Sequence, residues 1–382
     1  MKITEVQSPF INETFLSENI YEIDAHGTPL IEIVEDDIFV HFLYFGDEAT
    51  TSVHVLGSFP GWDLQEGEMI KVEGKQVWVK SYKTDSPFAS TYYFSVNDNF
   101  AEDDWGSRFE HLITDPRNPN KLVFSEVPTD KVTSEISYIT VNEPLQSMEL
   151  TNQNPNVYKE VFNSNVLNNQ RNLWIYDPFK NSSTPKKLLI VFDGSQYTEA
   201  IPVPNMMDQL YEEGKIPPTV MVGVDSPNRF SELMGNEQFS GFLTEELLPW
   251  IRKNFHVSHH PEDVTLCGAS LGGLTAFYSA LNHPNYFGNV LCQSGSFNHK
   301  KLKDDQHWSV HFLESQPVAP VRIYMNAGRL EMQDLLSANS LTYEALRSKG
   351  FEVKYRLFNG GHDLLWWRET FLEGLEYLFC EG

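Results

Sequence analysis

Along the chain the apolar positions change their period once. From about Ile31 to Val96 they come in short, roughly alternating runs separated by turn residues, and residues 37–45, 51–56, 76–82 and 90–96 each predict a strand. Several short strands within about 100 residues predict a β-sandwich, with Trp62 in its core. Residues 1 to about 30 read as a lead-in with a helix over 9–21. Asp115-Pro116-Arg117-Asn118-Pro119 is a turn-rich boundary. The mixed polar stretch 121–155 reads as an interdomain connection joined to the first strand of the next domain.

From about Val157 strands alternate with helices. Residues 172–176, 187–192, 218–224, 264–268, 288–292, 321–326 and 353–358 predict strands, and several have almost no polar position, as strands buried on both faces do. Helical stripes fall on Met206, Met207, Leu210 and Tyr211, on Leu243, Leu247, Trp250 and Ile251, and over 333–349. Leu364, Trp367, Phe371, Leu375 and Leu378 mark a last helix. Pro249 should end or kink the second of these. The expected architecture is α/β: a sandwich domain with its connecting segment, residues 1–150, then a domain with a parallel sheet covered on both faces, residues 151–382, which Gly-x-Ser-x-Gly at 268–272 on a central strand makes an α/β-hydrolase.

One junction carries chemistry. The run Val264-Thr265-Leu266-Cys267 ends at Gly268-Ala269-Ser270-Leu271-Gly272-Gly273, and helical spacing follows at once. Gly-x-Ser-x-Gly at a strand-to-helix corner aims the serine hydroxyl out of the fold and leaves the Leu271 N–H at a helix start, ready to donate to an oxyanion. A plain Gly/Ser turn is the bland alternative. A serine nucleophile needs a base and an acid behind it, in the chain order Ser, acid, His. His362, just past a predicted strand, is the candidate base. Glu331 is the first candidate acid and Asp334 the second, with a Ser–His pair alone also open. Gly194, in the turn after residues 187–192, is the candidate second oxyanion donor.

Composition narrows the partners. The 382 residues carry 53 acidic and 28 basic side chains, a formal net charge of −25, which argues against nucleic acid or an anionic membrane as partner. The three cysteines form no C-x-x-C pair, and neither a disulfide framework nor a metal site is expected. No cofactor is implied. The N-terminus lacks a signal-peptide pattern and no run of eighteen apolar residues occurs, so a cytoplasmic enzyme is expected.

These landmarks together resemble the enterochelin (ferric enterobactin) esterases, siderophore hydrolases related to esterase D. The resemblance rests on Phe192-Asp193-Gly194, Val224-Asp225 with Arg229 and Glu232-Leu233, Glu246-Leu247-Leu248-Pro249 and the Ser270 motif. It continues through Gln293-Ser294-Gly295-Ser296, Gly328 with Glu331, and Gly360-Gly361-His362-Asp363 with Trp367-Arg368. A fainter likeness in residues 57–62, Trp78 and residues 115–119 implies that family's immunoglobulin-like N-terminal domain. The resemblance implies hydrolysis of the serine esters of a ferric tricatecholate trilactone, a small-molecule partner. It also implies an Arg229 that either faces a catecholate or holds a loop through Glu232, and a Trp367 that either stacks on a catechol or packs in the core. Feruloyl or other carbohydrate-linked esterases are the alternative within hydrolases, and a non-catalytic binding protein on a hydrolase scaffold is the alternative outside them.

Overall fold

The computed structural model describes residues 3–6, 14, 16, 23, 25–35, 37–59, 61–101, 104–123, 135–143, 145, 154–299 and 307–379. The helix expected over 9–21 lies largely outside them. The chain forms two compact units. One comprises Met1–Leu145 with two later segments, Arg329–Glu331 and Asn359–Trp366; the other comprises Gln146–Gly328, Met332–Phe358 and Trp367–Gly382.

In the first unit the strands run in order as β1 (Ile3–Glu5), β2 (Leu30–Val34), β3 (Asp37–Phe45), β4 (Val53–Gly57), β5 (Ile70–Lys71), β6 (Val77–Thr84), β7 (Phe88–Val96), β8 (Lys121–Val123) and β9 (Glu135–Val141). They make two antiparallel sheets, one ordered β1-β6-β3-β2 with β5 on β6, the other β4-β7-β9-β8. Side chains alternate across a strand, so Ile38, Val40 and Phe42 of β3 share a core with Val53 and Val55 of β4, Tyr92 and Phe94 of β7, and Ile139 and Val141 of β9. Phe42 meets Tyr92 edge-on at 4.8 Å.

Two expectations change here. β8 and β9 fall inside the stretch read as a connection and belong to the first unit, because the ladder with β7 buries a run whose own polar residues had hidden it. Trp62 is only half-buried, packed on Tyr93 and Phe109, because the chain has left the sheet once β4 ends at Gly57.

The second unit continues with β10 (Val157–Ser164), β11 (Asn169–Tyr176), β12 (Lys187–Phe192), β13 (Thr219–Val224), β14 (Val264–Ala269), β15 (Asn289–Gln293), β16 (Arg322–Gly328) and β17 (Glu352–Phe358). One sheet holds them in the order β10-β11-β13-β12-β14-β15-β16-β17. β10 and β11 are antiparallel at one edge, and the pairs from β13–β12 to β16–β17 are parallel. The central strands have no exposed position because helices cover both faces of such a sheet. The main helices are α1 (Val203–Glu212), α2 (Glu237–Phe242), α3 (Leu248–Asn254), α4 (Leu271–Asn282), α5 (Trp308–Ser315), α6 (Gln333–Lys349) and α7 (Leu364–Phe379). α5 had no counterpart in the sequence reading.

Pro249 neither ends the helical run nor simply kinks it. The chain takes a π-helical turn over Leu243–Leu247 and restarts as α3 with Pro249 in its first turn, where a missing N–H leaves no bond unmade. From β12 the chain crosses to β13 on one side and returns to β14 on the other. In an open parallel sheet that reversal opens a crevice at the carboxyl ends of the diverging strands, here β12 and β14.

Candidate active site

At the end of β14, Ser270 has φ 57° and ψ −121°, a backbone state that an L-residue avoids and that typically costs about 1–3 kcal/mol. Its neighbours hold it there. The Ser270 N–H donates to Gln293 O at 2.9 Å, and the Ser270 carbonyl accepts from Leu274 N and Ser296 N, each at 3.0 Å. A Cβ on Gly268 would sit 2.5 Å from the backbone carbon of Gly272, so only glycine fits there; one on Gly272 would meet Phe192 Cβ at 3.3 Å, a tighter contact than usual but not a clash. Leu271 is the first residue of α4, where an N–H has no acceptor in its own helix and adds to the positive end of the helix dipole. The Ser270 and Ser296 hydroxyls share a hydrogen bond of 3.0 Å.

The turn after β12 reads differently from expectation. Gly194 donates its N–H to Val224 O at 3.3 Å, and a Cβ there would meet Gly223 C at 2.5 Å. The glycine therefore serves close packing against β13, and its N–H is already committed, which removes the oxyanion role expected of it. Arg229 is also placed otherwise. Its Nε and one terminal nitrogen donate to the two Asp193 carboxylate oxygens at 2.9 and 2.8 Å. Glu232, the loop partner considered for it, instead takes Arg171 and Asn169. A guanidinium so paired presents little net charge to an anion. Asp193 itself has φ 57°.

The acid and base candidates lie in the first unit, on the segments that follow β16 and β17. Glu331 is three residues past β16 and buried; His362 is four past β17. Glu331 Oε2 lies 3.7 Å from His362 Nδ1, at ion-pair distance. Leu330 N donates to Gly360 O at 2.9 Å and ties the two loops together. Asp363 faces elsewhere: Oδ1 accepts from Leu365 N and Trp366 N at the start of α7, and Oδ2 accepts from Thr91 N at 3.2 Å. Burial pushes its carboxyl up to about 6. Asp334, the second acid candidate, sits in the first turn of α6. Trp367, in the second unit, is 6% exposed and donates its indole N–H to Ser294 Oγ at 2.9 Å, so the stacking role gives way to core packing.

Ser296 had no assigned role in the sequence, although it closes the Gln293–Ser296 landmark, and nothing in its local spacing points toward Ser270. Gln293 of the same landmark accepts from the Tyr197 hydroxyl and donates to Trp367 O and Thr370 Oγ1, which fixes the end of β15. Glu246, another landmark, accepts from Ser164 Oγ and from the N–H groups of Asn165 and Val166, and so holds the β10–β11 turn. Among the described residues no helix is long and apolar enough to cross a membrane.

A doubly covered parallel sheet with a strained serine between β14 and α4 defines the α/β-hydrolase type. The chain belongs to the Esterase family of carboxylic ester hydrolases, whose model matches residues 164–378. It is 27% identical over 336 residues to the iron(III) enterobactin esterase of Escherichia coli O6:H1, covering 81% of each chain. It is 32% identical over 231 residues to that of Dickeya dadantii, covering 56% of this chain and 53%, about half, of the relative. The crystal structure of the enterobactin esterase from Shigella flexneri in the presence of enterobactin matches with a TM-score of 0.77 at 23% identity, over 96% of this chain and 98% of that one. The fold and the relatives agree with the resemblance read from the sequence.

Proposed function

We propose that the chain is a serine esterase that hydrolyses the ester bonds of a ferric tricatecholate siderophore, an enterobactin-like trilactone, and so frees the iron. The observation that carries this reading is the Ser270 elbow, a hydroxyl held at φ 57° directly before a helix N-terminus. In the proposed reaction Ser270 Oγ attacks the ester carbonyl while His362 takes its proton. Glu331 steadies the resulting imidazolium, and the Leu271 N–H stabilises the oxyanion. The tetrahedral intermediate collapses, His362 protonates the departing serine hydroxyl of the lactone, and water then hydrolyses the acyl-enzyme by the same route. Protein groups and water suffice for each step; the iron travels with the substrate.

Before substrate binds, the Ser296 hydroxyl keeps Ser270 Oγ in one rotamer. The β-sandwich corresponds, in this reading, to an immunoglobulin-like N-terminal domain over residues 1–150, with the catalytic domain over 151–382, and the enzyme works in the cytoplasm. The test is a substrate panel with a serine-reactive phosphonate. The expected result is an adduct on Ser270 and a kcat/KM higher on a ferric catecholate trilactone than on feruloyl or simple aryl esters. A preference for feruloyl esters would replace the siderophore by a carbohydrate-linked acyl substrate, and an unreactive Ser270 would leave a binding protein on a hydrolase scaffold.

A further inference from the structure

β7 runs past the end of its neighbour. The last β4–β7 pair is Gly57 with Tyr92, so beyond it, among the described residues, no strand pairs with that edge of β7, and Ser58 N reaches only as far as Thr91 O. An open edge of this kind leaves backbone groups to be satisfied by something else. Here the occupant is the loop that carries His362. Ala89 N donates to Asn359 O at 3.4 Å, the Trp366 indole N–H donates to Ala89 O at 2.7 Å, and Thr91 N donates to Asp363 Oδ2 at 3.2 Å. These contacts bracket His362, three residues before it and one and four after it. Two glycines make the approach possible: a Cβ on Gly361 would lie 2.5 Å from Ser58 O, and one on Gly360 would fall on the Trp366 ring. The acid is tied into the same assembly, since Leu330, next to Glu331, bonds Gly360 and packs on the sandwich core.

We propose that β7 is a positioning element of the esterase, gripping the His362 loop through Asp363 and Trp366 so that the N-terminal sandwich sets the aim of the base. This rests on the reading of His362 as the base. Asp363 and Trp366 are then positioning residues, and the sandwich acts on turnover. Asp363→Asn isolates the link. Its carbonyl can keep the α7 cap, but the amide that replaces Oδ2 then points a donor at the Thr91 N–H. Trp366→Phe keeps an aromatic side chain but removes the indole N–H that bonds Ala89 O, together with part of the ring's packing.

The experiment uses the full chain and two readouts: the rate of fluorophosphonate labelling at Ser270, followed by mass spectrometry, and kcat and KM on a ferric tricatecholate ester. Displacing a catalytic group by about 1 Å costs on the order of 10²-fold, so Asp363→Asn should lower both kcat and the labelling rate by about that factor with KM unchanged. Trp366→Phe should lower both by roughly 5–10-fold, also without a change in KM. If Ser270 in the parent protein is not labelled, the esterase reading falls and this proposal with it. If the parent is labelled and both variants keep its labelling rate and kcat, this proposal alone falls. A rise in KM with kcat intact also overturns it, because β7 would then serve binding.

Discussion

The proposed nucleophile and the proposed base reach their conformations by opposite means. Ser270 is shaped within the second unit, largely by residues next to it: Gly268 makes room for Gly272, and the start of α4 follows at once. The His362 loop is shaped by distant residues, Ala89 and Thr91, more than 270 positions earlier in the chain. An elbow of the first kind is set mostly by adjacent residues, with Gln293 and Ser296 after the next strand completing it. A loop of the second kind depends on a separate core being folded, so loss of the sandwich core should disable the base before it disturbs the elbow.

The largest expected effect tests the local half of this contrast. Ser270→Ala should keep the fold, with an unchanged circular dichroism spectrum, and lose roughly 10⁴- to 10⁶-fold in kcat. A phosphonate adduct on any other serine would sink the assignment. Next comes the distant half. Glu331→Gln should lower kcat by about 10²- to 10⁴-fold, because the His362 imidazolium loses the carboxylate 3.7 Å away. Asp334→Asn should do far less, and steady-state kinetics on the two variants decides between them.

A smaller effect concerns the Asp363 clamp and pH. The carboxyl ionises near 6 when folded, against 3.8 as its ordinary value, because burial disfavours the charge. The folded state holds that proton over a range in which the unfolded chain has released it. Stability therefore falls as pH rises from about 4 to 6, by up to about 3 kcal/mol. Asp363→Asn lacks this loss. Urea midpoints of parent and variant at pH 4 and pH 7 should show the parent losing ground to the variant across the window; parallel shifts would contradict the burial argument. The avoided charge burial is also why the variant should remain folded at neutral pH.

The smallest effect returns to the second unit. Arg229→Ala strips Asp193 of a two-point partner and should cost about 1–3 kcal/mol in stability. It should lower activity on a neutral ester and on a ferric catecholate alike, read as kcat/KM on both. A loss confined to the catecholate would restore Arg229 as a substrate contact.

Several features were legible in the chain because their causes are local. A run such as Leu188–Phe192 announces a strand buried on both faces, the spacing of Leu364, Trp367 and Phe371 announces a helix, and Gly-x-Ser-x-Gly at a strand end announces the elbow. Glu331 could be preferred over Asp334 by position after a strand, and the structure sets it beside His362. Other features had no local cause to read. β9 is a strand because β7 offers it a ladder; Arg229 meets Asp193 because two turns converge; Gly194 is a glycine because β13 passes 2.5 Å from where its Cβ would be. The His362 loop lies where it does because β4 stops short and leaves an edge of β7 to fill. Periodicity and turn chemistry act over a few residues and can be read from the sequence. Hydrogen-bond partners and steric neighbours separated by tens to hundreds of residues exist only once the chain has folded, and they decided what each candidate residue lies beside.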